Sequence, residues 1–211
     1  MSPVGEAFER LWPDATLMNL LDDSLPADLA AEGRQNDAMT ARFEQLARYA
    51  VRAGAQGVLF TCSAFGQSIE AAARAVDVPV YKPNEAMFLE ALELVRTTPG
   101  TGRIGLLCTF APSIPSMRDE LLSMARRADA RVELVSACAS GAMEALAAGD
   151  AATHDRLIAE QSLALRECDV VMLGQFSMAR AQQLVAGLLN KPVLTSPDSA
   201  VRLLRRTLLG A

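Results

Sequence analysis

Gly57-Val58-Leu59-Phe60-Thr61-Cys62-Ser63-Ala64-Phe65-Gly66 is the stretch around which the chain is organised. Apolar, β-favouring residues end in the polar triplet Thr61-Cys62-Ser63, and Gly66-Gln67 then leads into the alanine-rich run Ser68 to Val76. This pattern predicts a buried strand over 57–61, a tight turn and a helix over 67–76. In open α/β sheets the carboxyl ends of strands gather ligands and reactive groups, because side chains there project into the crevice above the sheet. Cys62 lies at such an edge.

Working outward, the stretch has an echo. Val170-Val-Met-Leu-Gly-Gln175-Phe-Ser177 repeats its form, and each copy is followed by a predicted helix and a short strand containing proline. Cys62 precedes Pro79 by 17 residues and Gln175 precedes Pro192 by the same 17. The chain therefore reads as two duplicated α/β units. An earlier strand precedes each motif, Ala15 to Leu20 in the first half and Val132 to Val135 in the second. The second half has one strand more, Arg103-Ile-Gly-Leu-Leu-Cys108. Its spacing, projected onto the first half, falls before Met1, so the first half is expected to lack its opening strand, by truncation or by a sheet one strand short. Ser2 and Pro3 instead open a helix as N-cap and first helical residue.

The remaining pattern predicts helices at 3–12, 37–54, 84–96, 115–128, 140–148, 151–167, 178–189 and 198–208, with strands at 78–81, 103–108, 131–135, 169–173 and 192–195. A polar loop runs through Asp22, Asp23 and Ser24, and Pro99-Gly100-Thr101-Gly102 reads as a linker. Strands alternating with helices imply parallel sheets covered on both faces. Residues 1–98 with the C-terminal helix 198–211 form the expected first domain, carrying Cys62. Residues 99–197 form the second, carrying Gln175.

Composition narrows the function classes. The 211 residues are 51% hydrophobic and 21% charged, enough for a full core in a globular chain. No apolar run approaches the ~20 residues of a spanning helix, and Glu6, Glu9 and Arg10 break up the N-terminal apolar residues, so no secretory leader is expected and a cytoplasmic location is the default. The net charge of −5 argues against a nucleic-acid surface; Arg202, Arg205 and Arg206 read as a solvated helix face. Cys62, Cys108, Cys138 and Cys168 have neither zinc-ligand spacing nor a disulfide context, so reduced thiols are expected. The lone His154 reads as a surface residue at a helix start. Lys82 and Lys191, each directly before a proline, leave few candidates for a pyridoxal-phosphate Schiff base, and no phosphate-cradling glycine motif is present. Chemistry without a metal or organic cofactor is expected.

Thr61-Cys62-Ser63, the pseudo-repeat carrying Leu173-Gly174-Gln175, and the alternating strands and helices resemble the aspartate/glutamate racemase superfamily, which includes hydantoin racemase, maleate isomerase and arylmalonate decarboxylase. The resemblance covers nearly the whole chain. It implies two flavodoxin-like domains related by a pseudo-two-fold, an active site in the cleft between them with a cysteine from each domain on opposite sides of a substrate carbon, and no cofactor. Its partner is a small-molecule carboxylate, with no nucleic acid or membrane, and a symmetric homo-oligomer is a common state for such proteins. The chemistry fits Cys62: removing a proton next to a carboxylate needs a nearby base and donors that stabilise the developing charge, and a helix N-terminus favours a thiolate. Thr61 and Ser63 are candidates to hold the carboxylate.

The chain departs from that pattern at Gln175, which stands where two-thiol racemases carry the second cysteine. An amide neither accepts nor delivers a proton at neutral pH. Ser177 stands nearby, but an unactivated hydroxyl is a poor acid. Thr109 and Ser113 follow a second-half strand in a proline-broken loop, where ligand contact and helix capping both remain open. Phe65 and Phe176 occupy matching places after the two motifs, as walls of an apolar pocket or as packing. Asn84 and Asp198 read as N-caps, Asp22 and Asp23 as groups able to meet a substrate ammonium or amide, and Met87, Met117, Met124 and Met143 as core filler. Three functions follow: a racemase- or isomerase-like enzyme with Cys62 as acid and base, a one-thiol decarboxylase of a malonate-type acid, or an inactive small-carboxylate binder.

Overall fold

The computed structural model describes residues 2–96 and 100–210. Along the chain come α1 (Pro3–Leu11), α2 (Leu25–Glu32), α3 (Asp37–Arg52), β1 (Val58–Leu59), α4 (Gly66–Arg74), β2 (Val80–Tyr81), α5 (Glu85–Arg96), β3 (Gly102–Cys108), α6 (Ile114–Arg127), β4 (Val132–Cys138), α7 (Ala142–Ala147), α8 (Ala151–Ser162), β5 (Val170–Leu173), α9 (Gln182–Leu189), β6 (Val193–Thr195) and α10 (Ser196–Leu209). The protein is α/β, with two wholly parallel sheets: β1-β2, and four strands in the order β4-β3-β5-β6. Pro99, part of the expected linker, lies outside the described residues.

The larger sheet follows from its sequence. In β3, Ile104, Leu106 and Cys108 turn to one face, where Met87, Phe88, Ala91, Leu92 and Val95 of α5 meet Met117, Leu121 and Met124 of α6. Leu107 of β3, Val171 and Leu173 of β5 and Val193 of β6 turn to the other, against α8 and α9 through Ile158, Ala159, Val185 and Leu189. Both faces are covered, which is why these strands are continuous apolar runs rather than alternating ones. Each fully buried Leu, Ile or Phe contributes roughly 1.5–3 kcal/mol of transfer free energy.

The smaller sheet repeats part of the larger. Val58 pairs with Val80 and Leu59 with Tyr81, while Val171 pairs with Val193 and Met172 with Leu194, at one constant displacement in sequence. The Val58 N–H donates to Pro79 O at 2.9 Å, and the Val171 N–H to Pro192 O at 3.0 Å. The internal duplication thus extends to individual backbone hydrogen bonds. Helix α3 is fastened at its start by the Asn36 side chain, which accepts from the Met39 N–H at 2.9 Å. Its residues Met39, Phe43 and Ala47 recur every four positions and bury one stripe against Phe65, Ile69 and Ala72.

Two differences from the sequence expectations concern the first half, at Ala15 to Leu20 and at α2. Before Gly100, the described residues form no strand besides β1 and β2, so nothing there takes the place that β3 holds in the second half. The expected strand at Ala15 to Leu20 is not one: it enters no ladder, and Leu17, Met18, Leu20 and Leu21 are exposed, Met18 by 78% and Leu21 by 84%. A strand is stable only through its neighbours' hydrogen bonds, and no strand among the described residues pairs with this segment. Helix α2, unforeseen in the polar loop, starts with Pro26 in its first turn and ends at Gly33, whose φ of 69° is left-handed.

The chain divides into two compact units. One comprises the start of the chain as far as Ala7 together with Ala86–Ser199, the other Phe8–Glu85 together with the stretch from Ala200.

Candidate functional site

In the first-half motif, β1 ends and Thr61, Cys62 and Ser63 emerge exposed. Cys62 is extended, with φ −110° and ψ 117°, and it is the N-cap of a 3₁₀ turn at Ser63–Phe65 that runs directly into α4. The turn is anchored beneath, because Phe65 is 1% exposed and its ring lies 5.0 Å from that of Phe43. Phe65 is therefore core, not a pocket wall. The first turn of α4 is fixed by Ser68, which is fully buried and bonded through its hydroxyl to Gln35 Oε1 at 2.9 Å and to Thr40 Oγ1 at 3.0 Å. Gln35 Nε2 in turn donates to Ala64 O at 2.9 Å. A free thiol is thus presented to solvent on a rigid turn at a helix start.

The second-half motif has the same backbone and a different side chain. Gln175, with φ −114° and ψ 146°, caps a 3₁₀ turn at Phe176–Ala181 that continues into α9. Its amide is held at both ends. Oε1 accepts from the Thr109 N–H at 2.8 Å, and Nε2 donates to Ser113 Oγ at 3.0 Å. Ser113 Oγ passes its own proton to Phe110 O at 2.7 Å. The structure therefore brings Thr109, Ser113 and Gln175 together at the carboxyl ends of β3 and β5. Phe176 and Ser177 lie half-buried in the turn that follows.

Beside this network stands Cys108, which the sequence did not single out. Its thiol is fully buried, and burial pushes it above its usual range, against the lowering influence of the Ser113 and Gln175 side chains. A methyl group at Gly174 would lie 2.7 Å from Cys108 Sγ. The glycine of Leu173-Gly174-Gln175 is therefore required by a sulfur on the neighbouring strand. The glycine before Gln175 was the only signal of this in the sequence, and it gave no indication of what needs the space.

Other expectations resolve individually. Asp22 is not free to meet an ammonium group: Arg42 grips both of its carboxylate oxygens, its Nε at 2.9 Å, and also reaches Asp28 and Ser24. The Arg42 hydrogen bonds hold the Asp22 carboxyl below the usual range. An open depression of about 570 Å³ borders this pair, lined by Asp22, Arg42, Gln45, Leu46, Tyr49 and Arg52 and by none of the motif residues. His154 is not at the surface; it is fully buried in α8, with Nδ1 2.7 Å from an Asp155 oxygen. Asp198 lies within the first turn of α10 rather than at its cap. Met87, Met117 and Met124 are core, whereas Met143 is exposed.

The family model for Asp/Glu/Hydantoin racemase matches residues 5–204. The chain belongs to that family. No curated protein matches it. Among solved structures, the family fold of this chain is similar to glutamate racemase isoform RacE1 from Bacillus anthracis, at 15% identity over 99% of this chain and 77% of that one, with a TM-score of 0.68. It is similar also to an aspartate racemase homologue from Pyrococcus horikoshii OT3, at 16% identity over 98% and 92%, TM-score 0.67. Arylmalonate decarboxylase follows at 20% identity over 83% and 78%, TM-score 0.61. In this member of the Asp/Glu/Hydantoin racemase family, one of the two equivalent turns carries an exposed thiol and the other a clamped amide. No helix among the described residues is long and apolar enough to cross a membrane.

Proposed function

We propose that the chain is a cofactor-independent racemase- or isomerase-like enzyme that moves a proton at the carbon next to a carboxylate or cyclic amide of a small acid, with Cys62 as acid and base. The observation that carries this is the placement of Cys62: an exposed free thiol, extended at a strand's carboxyl end, at the start of a helical turn that is locked from below. The thiolate takes the proton from the substrate carbon, and the resulting thiol returns it. Thr61 and Ser63 offer hydroxyls to the carboxylate, and N–H groups of the turn stabilise the enolate-like charge as it develops. On the second motif, Thr109, Ser113, Gln175, Phe176 and Ser177 are the proposed contacts to substrate.

A second reading rests on Gln175. Its amide oxygen and nitrogen are both engaged, and an amide has no proton to exchange at neutral pH. A single thiol suits a reaction that needs one proton delivered to one face, such as decarboxylation of a malonate-type acid followed by protonation from Cys62. One family neighbour is itself an arylmalonate decarboxylase.

Incubation in D₂O with a panel of small carboxylic acids, hydantoins and malonates, followed by NMR, separates these readings. Deuterium entering the α-position without loss of CO₂ supports proton transfer, and CO₂ release supports the lyase. Cys62→Ser abolishes either one. Activity that survives Cys62→Ser would refute both, and silence from the parent across the panel would leave a small-carboxylate binder.

A further inference from the structure

The two strands that pair over their whole length in the larger sheet, β3 and β4, end on a matched pair of cysteines: Cys108 and Cys138 are register partners, the last pair of that ladder. In a parallel pair, register partners point to the same face of the sheet. Both thiols are free. The backbones are pinned together there, because the Ala139 N–H donates to Cys108 O at 2.8 Å. Neighbouring strands lie ~4.8 Å apart, inside the ~4.4–6.8 Å range of Cα separations that a disulfide spans. Reaching the ~3.8 Å Cβ separation of a disulfide requires the strand ends to pinch by about 1 Å, at the residue where β4 gives way to a turn.

The two thiols differ in access. Cys138 is partly exposed and Cys108 is buried. The Cys108 sulfur lies on the side of Gly174, where an added Cβ would stand 2.7 Å from it, so its side chain must turn to meet Cys138 on the opposite flank of β3.

We propose that Cys108 and Cys138 form a dithiol oxidation site, in which a peroxide attacks at Cys138 and Cys108 resolves the product to an intramolecular disulfide. In the first step the Cys138 sulfur takes one peroxide oxygen to become a sulfenic acid, the O–O bond breaks and one water leaves. In the second, the Cys108 sulfur attacks the Cys138 sulfur, the S–O bond breaks and a second water leaves carrying the Cys108 proton. The two thiols together lose two electrons and two protons, and the peroxide becomes two waters. Burial, which holds Cys108 as a thiol, makes it the resolving rather than the attacking partner.

The test uses the full chain with Cys62→Ser, which removes the exposed competing thiol. The native protein is treated with stoichiometric hydrogen peroxide, alkylated and digested with trypsin. Cleavage at arginine places Cys108 in peptide 104–118 and Cys138 in 132–156, with no other cysteine in either. The expected result is a 104–118/132–156 conjugate lighter by two hydrogens than the sum of the peptides, reversed by dithiothreitol and absent when Cys138→Ser is added. Phenylarsine oxide, which bridges adjacent thiols, is a second probe and should protect both cysteines of the unoxidised protein from alkylation. Recovery of both peptides singly, as free thiols or as separate sulfinic and sulfonic acids, would overturn the proposal. So would a conjugate that forms only in denaturant.

Discussion

Gly174→Ala adds one methyl group at the most crowded point of the second motif. The new Cβ would stand 2.7 Å from Cys108 Sγ, 3.2 Å from Met117 Cε and 3.3 Å from Leu107 O, against the ~3.5–4.0 Å of a comfortable contact. Met117 yields cheaply, because the atom it presents is the tip of a flexible chain. Cys108 does not: its backbone is held in β3 between β4 and β5, and its side chain is fully buried. Overpacking of this kind costs about 1–3 kcal/mol. Cys108→Ala alone removes one buried heavy atom and costs about 1 kcal/mol, by analogy with Ile→Val. The double variant is rid of the closest of these contacts, so its loss should fall short of the sum of the single losses by about 1 kcal/mol, the signature of residues in contact. Urea unfolding followed by far-UV circular dichroism, with the slopes compared to confirm a common transition, measures all three. If Gly174→Ala is as stable as the parent, or its penalty is unchanged in the Cys108→Ala background, Gly174 is not held open by the sulfur.

Two further outcomes test the first half. Asn36→Ala leaves the Met39 N–H without its cap and should cost about 1 kcal/mol in urea unfolding, whereas Asn36→Asp should retain most of the stability; equal losses would show that the cap bond is not what matters. The Asp22 carboxyl is held low in the folded chain by Arg42. Its contribution is therefore present above the unfolded carboxylate value and is lost as pH falls through the folded one, below about pH 4. Arg42 and Asp22 are both partly solvated, so screening keeps the effect small. Melting temperatures of parent and Asp22→Asn should converge on acidification, and parallel curves would contradict the pairing.

The second half was legible because its strands are buried on both faces and so are written as unbroken apolar runs: Ile104 to Cys108 and Val170 to Leu173 could scarcely be anything else. The equivalence of Cys62 and Gln175 was legible because the proline spacing that follows each motif fixes the register of β1-β2 and β5-β6 alike. Ala15 to Leu20 misled because strand character resides in a partner's ladder, which local composition does not report. Helix α2 had its signals in Pro26 and Gly33, overlooked beside the acidic residues before them. His154 shares a helical stripe with Ile158, so its burial was available from periodicity. The pairing of Cys108 with Cys138 was not, because register between distant strands is a property of the folded sheet alone.

The unpaired segment Leu17 to Leu21 has a bearing on how this protein behaves in bulk. Protruding aliphatic side chains on a segment outside any sheet offer a surface that other chains can cover. The two-rung sheet β1-β2 gives little cooperative resistance to opening, so it belongs at the low end of the local unfolding free energies and the four-stranded sheet at the high end. The exposed aliphatic side chains closest to the N-terminus, Leu17, Met18, Leu20 and Leu21, thus lie outside both motifs.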